Sequence, residues 1–217
     1  MQFIDQAILR SALDLQAYRA LIEERLAKGQ TTDLMQKSAY IEYSRINLVR
    51  MARLSRTTRL LPEALEAMRA WHRPQTWLAL SEGWCGDAAQ ILPVLQALAE
   101  ASPVVRLGVI SRAEHPTVMD AFLTNGTRSI PKVILVDEAS RRVLGSWGPR
   151  PEEAQRLAME TKASLQKISD PSRRVAVAQE GAKALQLWYA RDKTRSIQRE
   201  FTAAALAATG IQSLSKA

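Results

Sequence analysis

The sequence has 217 residues, 47% of them hydrophobic, and carries a net charge of +8 with one cysteine and two histidines. No apolar run approaches the roughly 18 to 20 residues that span a membrane, and a signal-peptide pattern is absent at the start. One cysteine and two histidines are too few for a disulfide framework or a cysteine–histidine zinc site. These absences make the cytoplasm the expected location. Since the positive residues are interspersed with acidic ones, as on solvated helix faces, we expect no nucleic-acid or membrane partner.

The first third of the sequence has the pattern of helices. Apolar residues between positions 4 and 26 recur at helical spacing, which predicts one continuous helix that stops at Gly29. A second helix is predicted over about 38–60, and Pro62 begins a third that runs to about residue 70. The arginines between Arg45 and Arg59 do not keep to one helical face, which favours a solvated surface over a track for phosphates.

From residue 74 the pattern changes to short apolar runs separated by helical segments. The predicted strands are 76–80, 104–110, 133–136 and 143–147, and the predicted helices are 88–100, 116–123 and one that opens at 151–153. The first two strands are joined by a helix and should be parallel neighbours, whereas the last two have a short connection and should form an antiparallel hairpin. The sequence therefore predicts an α/β fold with a mixed four-stranded sheet flanked by helices.

The last third returns to helical composition, with a break and restart at Asp170-Pro171 and helical segments at 182–188 and 197–208. This gives an N-terminal helical extension over 1–73, a sheet domain over 74–160 and a C-terminal helical extension over 161–217. No linker is long enough to separate domains, so we expect the extensions to pack on the sheet or on each other.

Cys85 lies where the first predicted strand meets a helix, and this makes it the candidate nucleophile. Unpaired backbone N–H groups and the positive end of the helix dipole both stabilise a thiolate. Trp84 and Gly86 are expected to leave the sulfur near the surface. Asp87 acts in the opposite direction, because a carboxylate near the sulfur raises the thiol pKa, so the sign of the net shift stays open.

The sequence resembles the thioredoxin family at three places. Trp84-Cys85-Gly86 matches the start of the W-C-G-P-C active site, Pro93 matches the helix-kinking proline, and Ile130-Pro131 matches the cis-proline that faces the cysteine. Longer segments resemble a group of bacterial thioredoxin-like proteins with helical extensions: E-G-W-C-G-D-A-A-Q at 82–90, N-G-x-R-S-I-P-K at 125–132 and W-G-P-R-P at 147–151. The resemblance implies a thioredoxin-like fold, a cis bond before Pro131, and a role for Ile130 and Pro131 in holding substrate backbone.

One departure from the family pattern limits the chemistry. Ala88 stands where the family has its second, resolving cysteine. A thiolate at Cys85 can form a mixed disulfide, but no second thiol in the chain can release it. The resemblance therefore implies a monothiol cycle, with no cofactor or metal, in which an external low-molecular-weight thiol or a partner protein resolves Cys85.

The other candidate residues have structural interpretations beside functional ones. Asp87 either complements the helix dipole or carries the proton of the thiol. Arg128 and Lys132 flank the proline and are expected to be solvated surface charges rather than holders of an anionic substrate group. The segment Trp147–Pro151 is expected to end a strand with a packed indole.

Three hypotheses remain, and whether the protein is an enzyme stays undecided. The leading one is a monothiol thiol–disulfide oxidoreductase whose partner is a disulfide-containing protein or a low-molecular-weight thiol. The alternative is a redox-inactive binding or scaffold protein that acts through its helical extensions and forms a homodimer. Glutathione-ligated iron–sulfur binding, as in monothiol glutaredoxins, is disfavoured because those proteins have C-G-F-S.

Overall fold

The computed structural model describes residues 2–210, which form a four-stranded sheet surrounded by helices. The strands are β1 (Gln75–Ser81), β2 (Val105–Ser111), β3 (Lys132–Asp137) and β4 (Val143–Trp147). The helices are α1 (Gln6–Ser11), α2 (Leu15–Ala27), α3 (Ser38–Thr57), α4 (Pro62–Arg69), α5 (Gly86–Glu100), α6 (Pro116–Asp120), α7 (Glu152–Gln166), α8 (Pro171–Asp192) and α9 (Arg195–Thr209). The end of the predicted C-terminal extension, 211–217, lies outside the described residues.

The sheet has the predicted mixed topology, in the order β2-β1-β3-β4. β1 pairs with β2 in parallel and with β3 antiparallel, and β3 and β4 form the antiparallel hairpin. All of β1 is buried, as expected for a central strand with helices on both faces. The fold is therefore a thioredoxin-like domain with additional N- and C-terminal helices.

The prediction of one continuous helix between residues 4 and 26 is wrong. The chain leaves the helical conformation between α1 and α2, where Leu13 exchanges two backbone hydrogen bonds with Val109 of β2, at 3.0 and 2.7 Å. Asp14 then caps α2 by accepting a hydrogen bond from the N–H of Ala17 at 2.7 Å. The helical spacing of apolar residues continues across this break, which is why periodicity alone did not reveal it.

Helix α9, from the C-terminal extension, contributes directly to the core beneath the sheet. Phe201 is fully buried, and its ring lies edge-on to Trp77 of β1 at 4.6 Å between centroids and to Trp147 of β4 at 5.5 Å. Both separations are in the range that favours edge-to-face aromatic packing. The predicted boundary at residue 160 therefore does not divide the hydrophobic core.

Helix α8 is packed differently from α9. It lies against α7, and a Cβ on Gly181 would collide with the side chain of Thr161, so this glycine sets the close approach of the two helices. Tyr189 is the buried residue of α8, and the other side chains of this helix are exposed or half-buried. The helix therefore covers the domain through a small number of side-chain contacts rather than through a broad apolar face.

Candidate functional site

Cys85 caps the N-terminus of α5 with its own sulfur. The Sγ atom accepts a hydrogen bond from the N–H of Ala88 at 3.4 Å and donates one to the carbonyl oxygen of Ile130 at 3.3 Å. β1 delivers Cys85 to this edge of the sheet, and β3, paired with β1, begins just after Ile130. Neighbouring strands thus bring together two residues that are 45 positions apart.

The peptide bond between Ile130 and Pro131 is cis, which confirms the expectation from the resemblance. A second cis bond, between Gly148 and Pro149, was not predicted. Gly148 has φ +103°, and a Cβ there would lie 2.5 Å from the carbonyl oxygen of Pro131. Only glycine fits this close approach, so the segment after β4 packs directly on the segment before β3.

The expectation that the sulfur lies near the surface is wrong, because the Cys85 side chain is only 5% exposed. Helices of both extensions hydrogen-bond to residues near it in the sequence. From α3, Asn47 donates its side-chain N–H to the carbonyl of Gly83 at 2.9 Å, and from α8, Gln186 accepts a hydrogen bond from Gln90 at 2.7 Å. The sequence around the cysteine does not encode these contacts, which come from remote helices.

Burial also decides whether the pKa of the Cys85 thiol is raised or lowered, which the sequence left open. Loss of solvation, followed by the nearby charge of Asp87, raises the pKa of the Cys85 thiol to about 12. The N–H of Ala88 and the guanidinium of Arg150 act in the opposite direction but do not reverse the shift. In this conformation the helix N-terminus does not produce a thiolate, and Cys85 is a neutral thiol at physiological pH.

Asp87 has a third role that neither sequence interpretation included. Its carboxylate forms an ion pair with Arg150 at 2.6 Å and accepts a hydrogen bond from the hydroxyl of Tyr189 at 2.9 Å. Burial raises the pKa of Asp87, and Arg150 and Tyr189 offset part of that rise. Asp87 thereby ties α8 and the segment after β4 to the first turn of α5.

Trp84 is fixed by contacts from the N-terminal part of the chain. Its ring stacks on Tyr40 at 4.6 Å between centroids, and its indole N–H donates to Asp33 at 2.9 Å. The guanidinium of Arg112 lies 5.1 Å from the ring centroid and pairs with the same aspartate at 3.2 Å. The N-terminal extension therefore positions the residue that precedes Cys85.

A cleft of about 750 Å³ opens beside the cysteine. Cys85 and Ile130 form part of its wall, together with Trp84, Gly86 and Asp87. Ala88 is buried within α5. The structure thus places five of the predicted site residues around one cavity, while Pro131 is buried outside its lining. A buried methyl group stands where the family has its second thiol.

The two charges that flank Pro131 behave differently from each other. Arg128 is exposed and forms an ion pair with Asp120 at 2.6 Å, consistent with a surface charge. Lys132 is buried, donates a hydrogen bond to the carbonyl of Gly148 at 3.2 Å, and has its pKa lowered by burial. The expectation of a solvated Lys132 is wrong because its ammonium joins two chain segments.

Trp147 is packed at the end of β4, as expected.

Within residues 2–210 no helix is long and apolar enough to cross a membrane. The same part of the chain contains no group of three or more His, Cys, Asp or Glu side chains that could hold a metal ion. Sequence reasoning missed Arg150, Gln186, Tyr189 and the partners of Trp84, and it placed Arg50 among solvated surface charges although Arg50 is half-buried. Of these, Arg150 lies in the quoted W-G-P-R-P segment, which was the one available signal.

This chain is similar to a family model and to two solved structures. A family model described as thioredoxin matches residues 34–166. The crystal structure of a protein of unknown function from Pseudomonas aeruginosa, PA1234, is 19% identical, with a TM-score of 0.61 over 94% of this chain and 99% of that one. An HIV epitope scaffold is 15% identical, with a TM-score of 0.48 over 87% of this chain and 96% of its own. No curated protein matches the sequence.

Proposed function

This chain belongs to the thioredoxin family, and we propose that it carries out thiol–disulfide exchange with Cys85 as its single nucleophile. The observation that carries the proposal is the position of the Cys85 sulfur, 3.3 Å from the carbonyl oxygen of Ile130 and on the wall of the cleft of about 750 Å³. A disulfide that enters this cleft meets the thiol beside the cis-proline segment, where Ile130 and Pro131 hold extended backbone.

The proposed cycle has two exchange steps. The Cys85 sulfur, once deprotonated, attacks one sulfur of a disulfide, forms a mixed disulfide with it, and releases the other half as a thiolate that takes up the proton. An external thiol then attacks the substrate sulfur of the mixed disulfide and forms a new disulfide with it, while the Cys85 sulfur leaves as a thiolate and takes up the proton. Ala88 has no sulfur with which to perform this second step, so the external thiol is required.

Cys85 must become uncovered for this cycle to run. In the structure its sulfur is buried and its pKa is raised to about 12, which disfavours the attacking thiolate. Side chains of α8 hold the first two turns of α5 through two hydrogen bonds, Gln90 to Gln186 and Tyr189 to Asp87. We infer that an arriving partner displaces α8 side chains and thereby activates the thiol.

The partner in this proposal is a disulfide-containing protein or a low-molecular-weight thiol. A protein with one cysteine that depends on an external thiol suits the cytoplasm, where small thiols are abundant and reduced. That compartment is therefore part of the proposal.

A second candidate function is favoured by the burial of Cys85. A cysteine with a strongly raised pKa behaves as a small apolar residue. The protein would then be a redox-inactive binding protein that uses its helical extensions as a partner surface. The two functions differ in whether a Cys85→Ser variant is impaired.

A turnover measurement distinguishes them. Reduced glutathione and hydroxyethyl disulfide are incubated with wild-type protein or Cys85→Ser, and oxidised glutathione is followed over time. We expect the wild-type protein to accelerate exchange above the uncatalysed rate, and the variant to stay at that rate because the nucleophile is gone. Equal rates for the two proteins would reject the exchange cycle and favour the binding protein.

A further inference from the structure

The cleft beside Cys85 has a strong excess of positive charge. The side chains that line it include one carboxylate, Asp87, among the described residues. The cationic side chains in its lining are Arg50, Arg112, Arg128, Arg150 and Lys183. A concave site lined mainly by one sign of charge concentrates ligands of the opposite sign.

Most of these cations are already neutralised by carboxylates of the chain. Three of them form ion pairs at 2.6 to 3.2 Å: Arg112 with Asp33, Arg128 with Asp120, and Arg150 with Asp87. Over residues 2–210, Arg50 and Lys183 have no carboxylate within ion-pairing distance. These two side chains therefore supply the uncompensated charge of the cleft.

Arg50 is the better defined of the two. It is half-buried, and this burial lowers its pKa, because a guanidinium that loses solvent without gaining a counter-ion is destabilised. Its Nη1 donates to the side chain of Asn47 at 3.0 Å, a neutral partner that leaves the charge uncompensated. An anion bound in the cleft would supply the missing negative charge.

Arg50 also lies next to the nucleophile. A Cβ on Gly86 would be 3.7 Å from Nη1 of Arg50 and 3.4 Å from Nε2 of Gln186. Since Gly86 directly follows Cys85, an anionic group held by Arg50 is a few ångströms from the first turn of α5. Lys183 is on the same helix as Gln186, three residues earlier, and lines the same cleft.

Apolar side chains complete the cleft. Tyr43, Ile46 and Leu185 line it, and both Tyr43 and Ile46 are exposed in the structure. The volume of about 750 Å³ is in the range of small-molecule sites. The lining thus suits a compact organic molecule with an apolar body and a negatively charged end.

We propose that this cleft binds small organic disulfides that carry carboxylates, with a carboxylate held by Arg50 and Lys183 while the sulfur atoms face Cys85. That the ligand is a disulfide rests on the proposed exchange function, and that it carries a carboxylate rests on the charges of the cleft. In the exchange step, the deprotonated Cys85 sulfur attacks the near sulfur of the ligand, and the carboxylate-bearing half that is released leaves as a thiolate and is protonated.

The test uses three disulfides of similar size and different charge. Dithiodipropionate carries two carboxylates, hydroxyethyl disulfide is neutral, and cystamine carries two ammonium groups. Binding is measured by calorimetry with the Cys85→Ser variant, so that no covalent reaction contributes. We expect dithiodipropionate to bind at least about tenfold more tightly than hydroxyethyl disulfide, cystamine to bind least, and added salt to weaken the binding of the dianion.

Charge-neutralising variants in the same background locate the site. Arg50→Gln should weaken dithiodipropionate binding by about tenfold, because Arg50 is half-buried. Lys183→Gln should weaken it by a smaller factor, because Lys183 is exposed. Arg45→Gln is the matched control, since Arg45 is an exposed residue of α3 outside the cleft lining, and binding should not change. Equal affinities for the three disulfides, or affinities that Arg50→Gln and Lys183→Gln leave unchanged, would overturn the inference.

The two proposals can fail separately. If wild-type Cys85 reacts with none of the three disulfides while the charge preference in binding persists, the exchange cycle is rejected and the anion site stands. If Cys85 reacts equally fast with all three and binding shows no preference, the exchange cycle stands and the anion site is rejected.

Discussion

Iodoacetamide should alkylate Cys85 in the folded protein at least about 100-fold more slowly than it alkylates free cysteine at neutral pH. A pKa of about 12 leaves far less thiolate than the ordinary value of about 8.5, and the greater nucleophilicity of a high-pKa thiolate recovers only part of the difference. The rate should keep rising with pH beyond about pH 10, where a free cysteine has already levelled off. Liquid chromatography and mass spectrometry of timed samples give the rates.

Asp87→Asn should accelerate this alkylation by about tenfold or more, because it removes a negative charge that raises the thiol pKa and leaves the charge of Arg150 unneutralised. Asp120→Asn is the matched control, since Asp120 also pairs with an arginine that lines the cleft but does not act on Cys85. Alkylation of wild-type Cys85 as fast as in denaturant would show that the thiol is not covered in solution.

Phe201→Ala should lower the free energy of unfolding by about 3 to 5 kcal/mol, the usual cost of removing a fully buried aromatic ring. Phe201 has no exposed surface, and its ring packs edge-on against the rings of Trp77 of β1 and Trp147 of β4. Such a loss is a large part of the stability of an average domain. Chemical denaturation followed by tryptophan fluorescence measures it.

Phe3→Ala is the control for this prediction, because Phe3 is 60% exposed. Its removal should change the free energy of unfolding by roughly 0.5 kcal/mol or less, as is usual for surface positions. If Phe201→Ala were as mild as Phe3→Ala, α9 would not be part of the core, and the C-terminal extension would be an appendage.

The sheet was predictable from the sequence because its signals are local. Each strand is a short apolar run bounded by turn or helix signals, and the lengths of the connections decide which pairs are parallel. The segment Trp147–Pro151 was correctly predicted to end the last strand. The juxtaposition of Cys85 with Ile130 came from the resemblance, since the two residues lie far apart in the chain and no local pattern connects them.

The environment of the sulfur was not predictable in the same way. Gln186 and Tyr189, which hydrogen-bond to Gln90 and Asp87 beside the cysteine, lie about a hundred residues after it and carry no distinctive pattern in α8. The partners of Asp87 are equally remote, so a carboxylate in the first turn of a helix looked like a local feature. The N-terminus of α5 does favour a thiolate, but desolvation outweighs it once remote helices exclude water.

Intact-mass spectrometry of the reduced protein after incubation with dithiodipropionate tests most directly whether this single thiol exchanges with disulfides. We expect one mixed disulfide on each wild-type chain, none on Cys85→Ser, and loss of the adduct from Ala88→Cys, where a second thiol displaces it. A folded wild-type chain that stays unmodified, under conditions in which the unfolded chain acquires the adduct, would contradict the account.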